Sequence, residues 1–232
     1  MKKKISRKYV IIGIILAILI VAFFIYTGDY YRADKNALIA LKGEQNIKFI
    51  DNLTVLYPDE PSSVGMIFYP GGKVEAKAYI PLLEKLREQG ITSVLVKMPF
   101  NLAVFNSDAA DEVYAKVPSV TNWFICGHSL GGAMASKYFG NNKDKLHGVI
   151  LLGAYIVGDV SDKDALTIYG TFNSNLEENI DYTNNIVIID GGNHAQFGNY
   201  GKQKGDPDAT ISSDDQQNQA VTAIMKFIKD RL

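Results

Sequence analysis

The segment Trp123-Phe124-Ile125-Cys126-Gly127-His128-Ser129-Leu130-Gly131-Gly132 constrains this chain more than any other. Its apolar start reads as a buried strand, and the small-residue stretch from Leu130 to Phe139 reads as a helix. Between them the backbone must reverse within a few residues, with glycine at positions 127, 131 and 132. This is the G-x-S-x-G pattern, in which a serine sits on a strained strand-to-helix turn. The glycines have a steric reason, because a side chain at either flanking position would strike the neighbouring backbone. Such a turn needs a strand with an open carboxyl end, which is where open α/β sheets carry their sites.

The flanking sequence supplies the rest of the sheet. Residues 64–69, 92–98, 122–126, 149–152, 166–169 and 186–189 are short, near-continuous apolar runs. Residues 76–89 carry a helical stripe at Ala78, Ile80, Leu82, Leu83 and Leu86, closed by Gly90. Residues 108–116 read as a helix stopping before Pro118, and 220–228 as a closing amphipathic helix. Apolar strands alternating with helices predict an α/β fold, with a mostly parallel central sheet and helices on both faces. Residues 47–57 alternate instead, as in an antiparallel edge strand or hairpin. With no repeat and no low-complexity linker, residues 47–232 are expected to form one domain, with 29–46 as a stalk or short helix.

The amino terminus has a different character. Lys2, Lys3, Lys4, Arg7 and Lys8 precede an uninterrupted apolar run over 9–26. That run reaches the lower end of the roughly 17–25 residues needed to cross a hydrocarbon core. The basic cluster should remain cytoplasmic, so residues 1–28 read as a basic tip and a transmembrane anchor. A cleaved signal peptide shares this layout but needs small residues at its cleavage site, where this chain has Phe23-Phe24-Ile25-Tyr26-Thr27. A lipoprotein anchor is excluded because no cysteine follows the run, and Cys126, the single cysteine, reads as a buried thiol. The expectation is a single-pass cell-membrane protein with its domain extracytoplasmic, the alternative being secretion after cleavage. A net charge of -1 gives no electrostatic case for nucleic acid.

A serine hydroxyl is a poor nucleophile without a base in hydrogen-bond reach. The chain has 3 histidines. His128 adjoins the serine and should point away from its hydroxyl, while His147 precedes a strand and reads as a surface or edge residue. His194 follows the last strand in Gly191-Gly192-Asn193-His194, on a loop at the sheet's carboxyl end and after the serine in chain order. Ser129 and His194 are therefore the candidate nucleophile and base. The Leu130 N–H is one candidate oxyanion donor, and the turn Pro70-Gly71-Gly72-Lys73 offers a second from Gly72, with Lys73 as its neighbouring alternative.

These residues carry a family likeness. The string from Phe68 to Gly72, the stretch Val96-Lys97-Met98-Pro99-Phe100-Asn101-Leu102-Ala103-Val104-Phe105, the serine turn, and Gly191-Gly192-Asn193-His194-Ala195-Gln196-Phe197-Gly198-Asn199-Tyr200-Gly201 together resemble a bacterial branch of the α/β-hydrolase superfamily, the group called alpha/beta hydrolase family five. The resemblance runs from about residue 47 to the end of the chain. It implies the α/β-hydrolase fold and a carboxylesterase-like serine hydrolase acting on a small-molecule or surface-presented ester. No cofactor is expected, and no metal-ligand spacing is visible. Few residues separate the runs near 158–165, where lidded lipases insert cap domains, so the site should be open.

One position departs from the pattern. Relatives carry an aspartate after the strand at 166–169, in a turn of the type Gly-Ser-x-Asp-Gly, whereas this chain reads Gly170-Thr171-Phe172-Asn173-Ser174-Asn175. Asn173 at the matching place can orient the histidine but cannot stabilise an imidazolium by charge. Three readings follow: Asn173 serves as a weak orienter in a slow enzyme; another acid substitutes, Asp159 first, with Asp190 and Asp181 behind it; or the fold has become a binding or scaffold protein at the cell surface.

Overall fold

The computed structural model describes residues 7–43 and 46–232. The apolar runs become strands β3 (Val64–Tyr69), β4 (Thr92–Val96), β5 (Asn122–His128), β6 (Val149–Leu152), β7 (Ala165–Gly170) and β8 (Ile186–Ile189), all parallel. Before them, β1 (Ile47–Ile50) and β2 (Leu53–Leu56) form a hairpin, and β2 joins β4 antiparallel with Leu53 opposite Val96. The spatial order β1-β2-β4-β3-β5-β6-β7-β8 puts β5, which leads into Ser129, at the centre. The structure is an α/β-hydrolase fold with a mostly parallel sheet.

Successive side chains on each strand point to opposite faces, so two cores form. Met66, Phe68, Phe124, Cys126, Ile150 and Leu152 face one core, covered by α3 (Ile80–Glu88) and α7 (Ser213–Lys229). Ile67, Tyr69, Trp123, Ile125, Val149 and Leu151 face the other, covered by α4 (Asp111–Lys116) and α5 (Leu130–Asn141). The α3 stripe ends as expected: Gly90 takes φ +86°, and the Ile91 N–H closes on the Leu86 carbonyl oxygen at 3.1 Å.

One helix starts earlier than its sequence reading, and the segment read as a stalk or short helix takes the helical form. Helix α7 begins at Ser213 rather than at 220, because Ser212 Oγ caps the Asp215 N–H at 3.0 Å and Asp214 and Asp215 complement the helix dipole. Its first turns bury Gln216 and Gln217, polar side chains that leave no apolar stripe to read. Residues 35–43 form α2 (Lys35–Gly43), with Ala37 fully buried against the domain, and a short α6 (Ser174–Glu177) follows β7.

The chain divides into two compact units, 1–30 and 31–232. In the first, α1 (Arg7–Gly28) is one helix long and apolar enough to cross a membrane. At 1.5 Å per residue it is about 33 Å long, against a hydrocarbon core of about 30 Å.

Candidate active site

Ser129 sits between β5 and α5 with φ 52° and ψ −122°, a left-handed conformation that a non-glycine residue rarely holds. Its N–H donates to the Leu152 carbonyl oxygen at 3.0 Å, which fixes the turn against β6. The glycines are required by contact. A Cβ on Gly127 would lie 2.5 Å from the Gly131 backbone, and one on Gly131 would lie 2.2 Å from the carbonyl oxygens of Tyr69 and Pro70. The start of α5 is thereby pressed onto the end of β3, the strand that carries the other candidate oxyanion donor.

In that donor loop the neighbouring N–H groups are engaged. Gly71 N–H donates to the Tyr79 hydroxyl at 3.0 Å, and Lys73 N–H donates to the Asn101 carbonyl oxygen at 2.8 Å. Of the three, Gly72 N–H alone has no hydrogen-bond acceptor among the described residues. Gly72 packs directly on Leu130, since an added Cβ would come within 2.8 Å of Leu130 Cδ2. The geometry thus distinguishes Gly72 from Lys73, and sets it beside Leu130.

His194 lies on the loop after β8. Gly170, at the end of β7, touches this loop so closely that a Cβ there would meet the Gly192 backbone at 2.2 Å. The contact brings Asn173 to His194, with the carboxamide nitrogen 3.0 Å from Nδ1. Nitrogen inward leaves Nδ1 as acceptor and the ring proton on Nε2. Turning the carboxamide over puts its oxygen inward, so that Nδ1–H donates and Nε2 is open to accept a proton. No hydrogen bond joins Ser129 Oγ to the ring among the described residues. A nucleophile–base contact of this kind commonly tightens only with substrate bound.

The other acids considered lie elsewhere. Asp159 is exposed and pairs with Lys143 Nζ at 2.8 Å. Its backbone packs against Gly140, eleven residues beyond Ser129 and so about 16 Å along α5. Asp181 and Asp190 are exposed, and neither bonds His194 among the described residues.

Three further residues touch the site's framework. Asp206 accepts the His194 N–H on Oδ1 at 3.1 Å and the Ala195 N–H on Oδ2 at 2.8 Å. His128 is fully buried, and its ring lies 4.6 Å from that of His194, centroid to centroid. Its Nε2 must donate to the His194 carbonyl oxygen at 3.0 Å, because a carbonyl only accepts, so Nδ1 accepts from the Tyr79 hydroxyl at 2.7 Å. Burial and the nearby His194 hold the His128 imidazole well below its usual pKa, and hence neutral. Burial also lowers the His194 pKa, while the Asp206 carboxylate opposes that shift. Tyr79 is concealed in the apolar stripe of 76–89, and Asp206 in a polar segment with no periodicity. Among the described residues no cluster of three or more His, Cys, Asp or Glu side chains is placed to hold a metal ion.

A family model described as Alpha/beta hydrolase family matches residues 65–218. No curated protein matches the chain. Among solved structures, an esterase from Pyrobaculum calidifontis is similar at 14% identity and a TM-score of 0.58, over 84% of this chain and 90% of that one. Est1E from Butyrivibrio proteoclasticus is similar at 14% identity and a TM-score of 0.54, over 80% of this chain and 97% of that one. A Xanthomonas campestris protein, described as an a/b serine hydrolase without lid, is similar at 14% identity and a TM-score of 0.51, over 78% of this chain and 88% of that one. At these identities the likeness is one of fold.

Proposed function

The chain belongs to the alpha/beta hydrolase family, and from that premise we propose that it is a membrane-anchored serine hydrolase, carboxylesterase-like, with Ser129 as nucleophile and His194 as base. The observation that carries this reading is the strained Ser129 at the head of α5, with His194 packed on the ring of the adjoining His128. Ser129 Oγ attacks the ester carbonyl carbon as His194 Nε2 takes its proton. The negative charge on the carbonyl oxygen falls to the N–H groups of Leu130 and Gly72. Collapse expels the alcohol, which takes the proton from His194, and leaves an acyl-serine. Water, deprotonated by the same imidazole, then releases the acid and restores Ser129.

Asn173 has one task here, to hold the tautomer with its oxygen facing Nδ1–H. In a serine protease the corresponding Asp-to-Asn change lowers kcat about 10⁴-fold through the wrong histidine tautomer. An Asn173 that holds the right tautomer but carries no charge supports a slow catalyst.

Exposed apolar side chains on the loops after β4, β6 and β7 (Phe100, Val104, Phe105, Tyr155 and Phe172) support an ester with an apolar acyl part. The 153–164 connection carries no helix, which supports an open site, and the similar Xanthomonas campestris protein is described as without lid. The length and composition of α1 support a membrane anchor, and the flanking basic residues support an extracytoplasmic domain.

A fluorophosphonate probe tests the proposal. Full-length protein in detergent should be labelled and should hydrolyse short p-nitrophenyl esters, and Ser129→Ala should abolish both. The uncharged Asn173 beside His194 favours a second reading, a binding or scaffold protein that kept the fold. Wild-type protein showing neither labelling nor turnover would decide for it.

A further inference from the structure

We propose that Asp206 supplies the negative charge that the Asn173 position lacks, so that the two tasks of a triad acid are divided between one residue at the His194 ring and one at its backbone. The inference rests on the hydrolase reading above. Asn173 faces the ring at Nδ1 and sets its tautomer. Asp206 acts through the backbone, its two carboxylate oxygens gripping the consecutive N–H groups of His194 and Ala195 at 3.1 and 2.8 Å.

The grip is built into the fold. Asp206 follows Gly205, whose φ of +84° turns the chain, and its own N–H closes on the Gln203 carbonyl oxygen at 3.1 Å. The next residue is fastened to the same loop, because Asn193 Nδ2 donates to the Pro207 carbonyl oxygen at 2.8 Å. On the other side, the His194 carbonyl is held by His128. The base is therefore clamped at its N–H by an anion and at its C=O by a neutral imidazole.

Few other charges bear on the ring. From the serine turn it faces His128, buried and neutral, with the neutral Tyr79 hydroxyl behind that. From the β7 loop it faces Asn173, which does not titrate. Tyr200 lies beyond His128 and Tyr79, and burial keeps its hydroxyl protonated. Lys202 is paired with Asp208. Asp206 is thus the carboxylate positioned to favour the imidazolium that forms as Ser129 attacks, in a half-buried setting where charge is screened less than in water. Burial alone would make His194 a weaker base, and Asp206 counters that effect.

Asp206→Asn removes the charge and keeps an oxygen for one of the two N–H groups. In full-length protein, kcat for a p-nitrophenyl ester should fall about tenfold with KM little changed. The acid limb of the kcat profile should move to lower pH, and Asp206→Glu should restore both. The His194 ring, followed by NMR titration and assigned by its loss in His194→Gln, should titrate at lower pH in Asp206→Asn. A fall in kcat with an unmoved limb and an unmoved titration would overturn the proposal, leaving Asp206 as a structural strap. The titration needs no turnover, so it decides the matter even if the hydrolase reading fails: a downward shift supports the charge role, and no shift ends it.

Discussion

Ser129 holds φ at 52° because the turn gives it no other choice, and strain of this kind costs of order 1–3 kcal/mol that the surrounding packing must offset. The same packing delivers His194 with its ring half enclosed, so its environment decides how good a base it is. Burial pushes the imidazole below its usual pKa of about 6.5, and Asp206 pulls in the other direction. The neutral, proton-accepting form is therefore favoured to lower pH than in a free imidazole, and kcat/KM should rise with pH through a midpoint below the ordinary histidine value and then level off. Asn173→Asp places a second carboxylate directly at Nδ1. It should raise kcat by about 10² or more and move the acid limb to higher pH, because the imidazolium is then favoured. A pH–rate profile of the two proteins checks both. No gain would mean that Asn173 does not occupy the acid position. The placement of Ser129, His194 and Asn173 just past the ends of apolar strands was legible, because each lies in a short recognisable string. Asp206 was not, because it reaches His194 through main-chain hydrogen bonds across twelve residues of aperiodic loop.

Among the elements, the junction of β3, β5 and α5 tolerates least. Gly131 meets backbone oxygens of Tyr69 and Pro70, which cannot rotate away as a flexible side chain could. Gly131→Ala should force the end of β3 outward, costing about 3 kcal/mol and displacing Gly72 from Leu130. Gly90 is the useful contrast. Nothing lies within 4 Å of a Cβ there, but its φ is +86°, so Gly90→Ala should cost only about 1 kcal/mol, and from backbone strain alone. Urea denaturation gives both values, and equal losses would show that the junction is not the tight point. The strands were readable from sequence because parallel strands buried on both faces must be apolar throughout. The short turns at Pro99–Asn101 and Ala103–Phe105 were not, since Phe100 and Asn101 take positive φ with no glycine to mark it.

At the scale of the molecule, residues 31–43 read from sequence as a stalk or short helix ahead of a domain starting at 47, and they lie in the same compact unit as that domain. Besides side-chain packing of Tyr31, Ala33, Ala40 and Leu41 on the core, part of their attachment runs through the main chain, which side-chain patterning does not reveal. Tyr31 N–H donates to the Lys73 carbonyl oxygen and its own carbonyl accepts from Glu75 N–H, both at 2.8 Å. Ala33 N–H reaches Glu75 Oε2 at 3.0 Å, and Asp34 N–H reaches the Asn199 carbonyl oxygen at 2.8 Å. The segment is thereby fastened to the loop of Gly72 and to the loop of His194 together. Two truncations separate α1 from the domain. Removal of 1–30 should release a soluble, folded protein that a fluorophosphonate still labels, whereas the full chain should stay with membranes through carbonate extraction. Removal of 1–46 also strips these four hydrogen bonds and buried Ala37, and should lower Tm by about 10 °C relative to the first truncation, at roughly 2–4 °C per kcal/mol. Labelling should weaken as the two loops lose their common fastening. If both truncations melt together and label equally, residues 31–43 are a stalk after all, and the domain begins at β1.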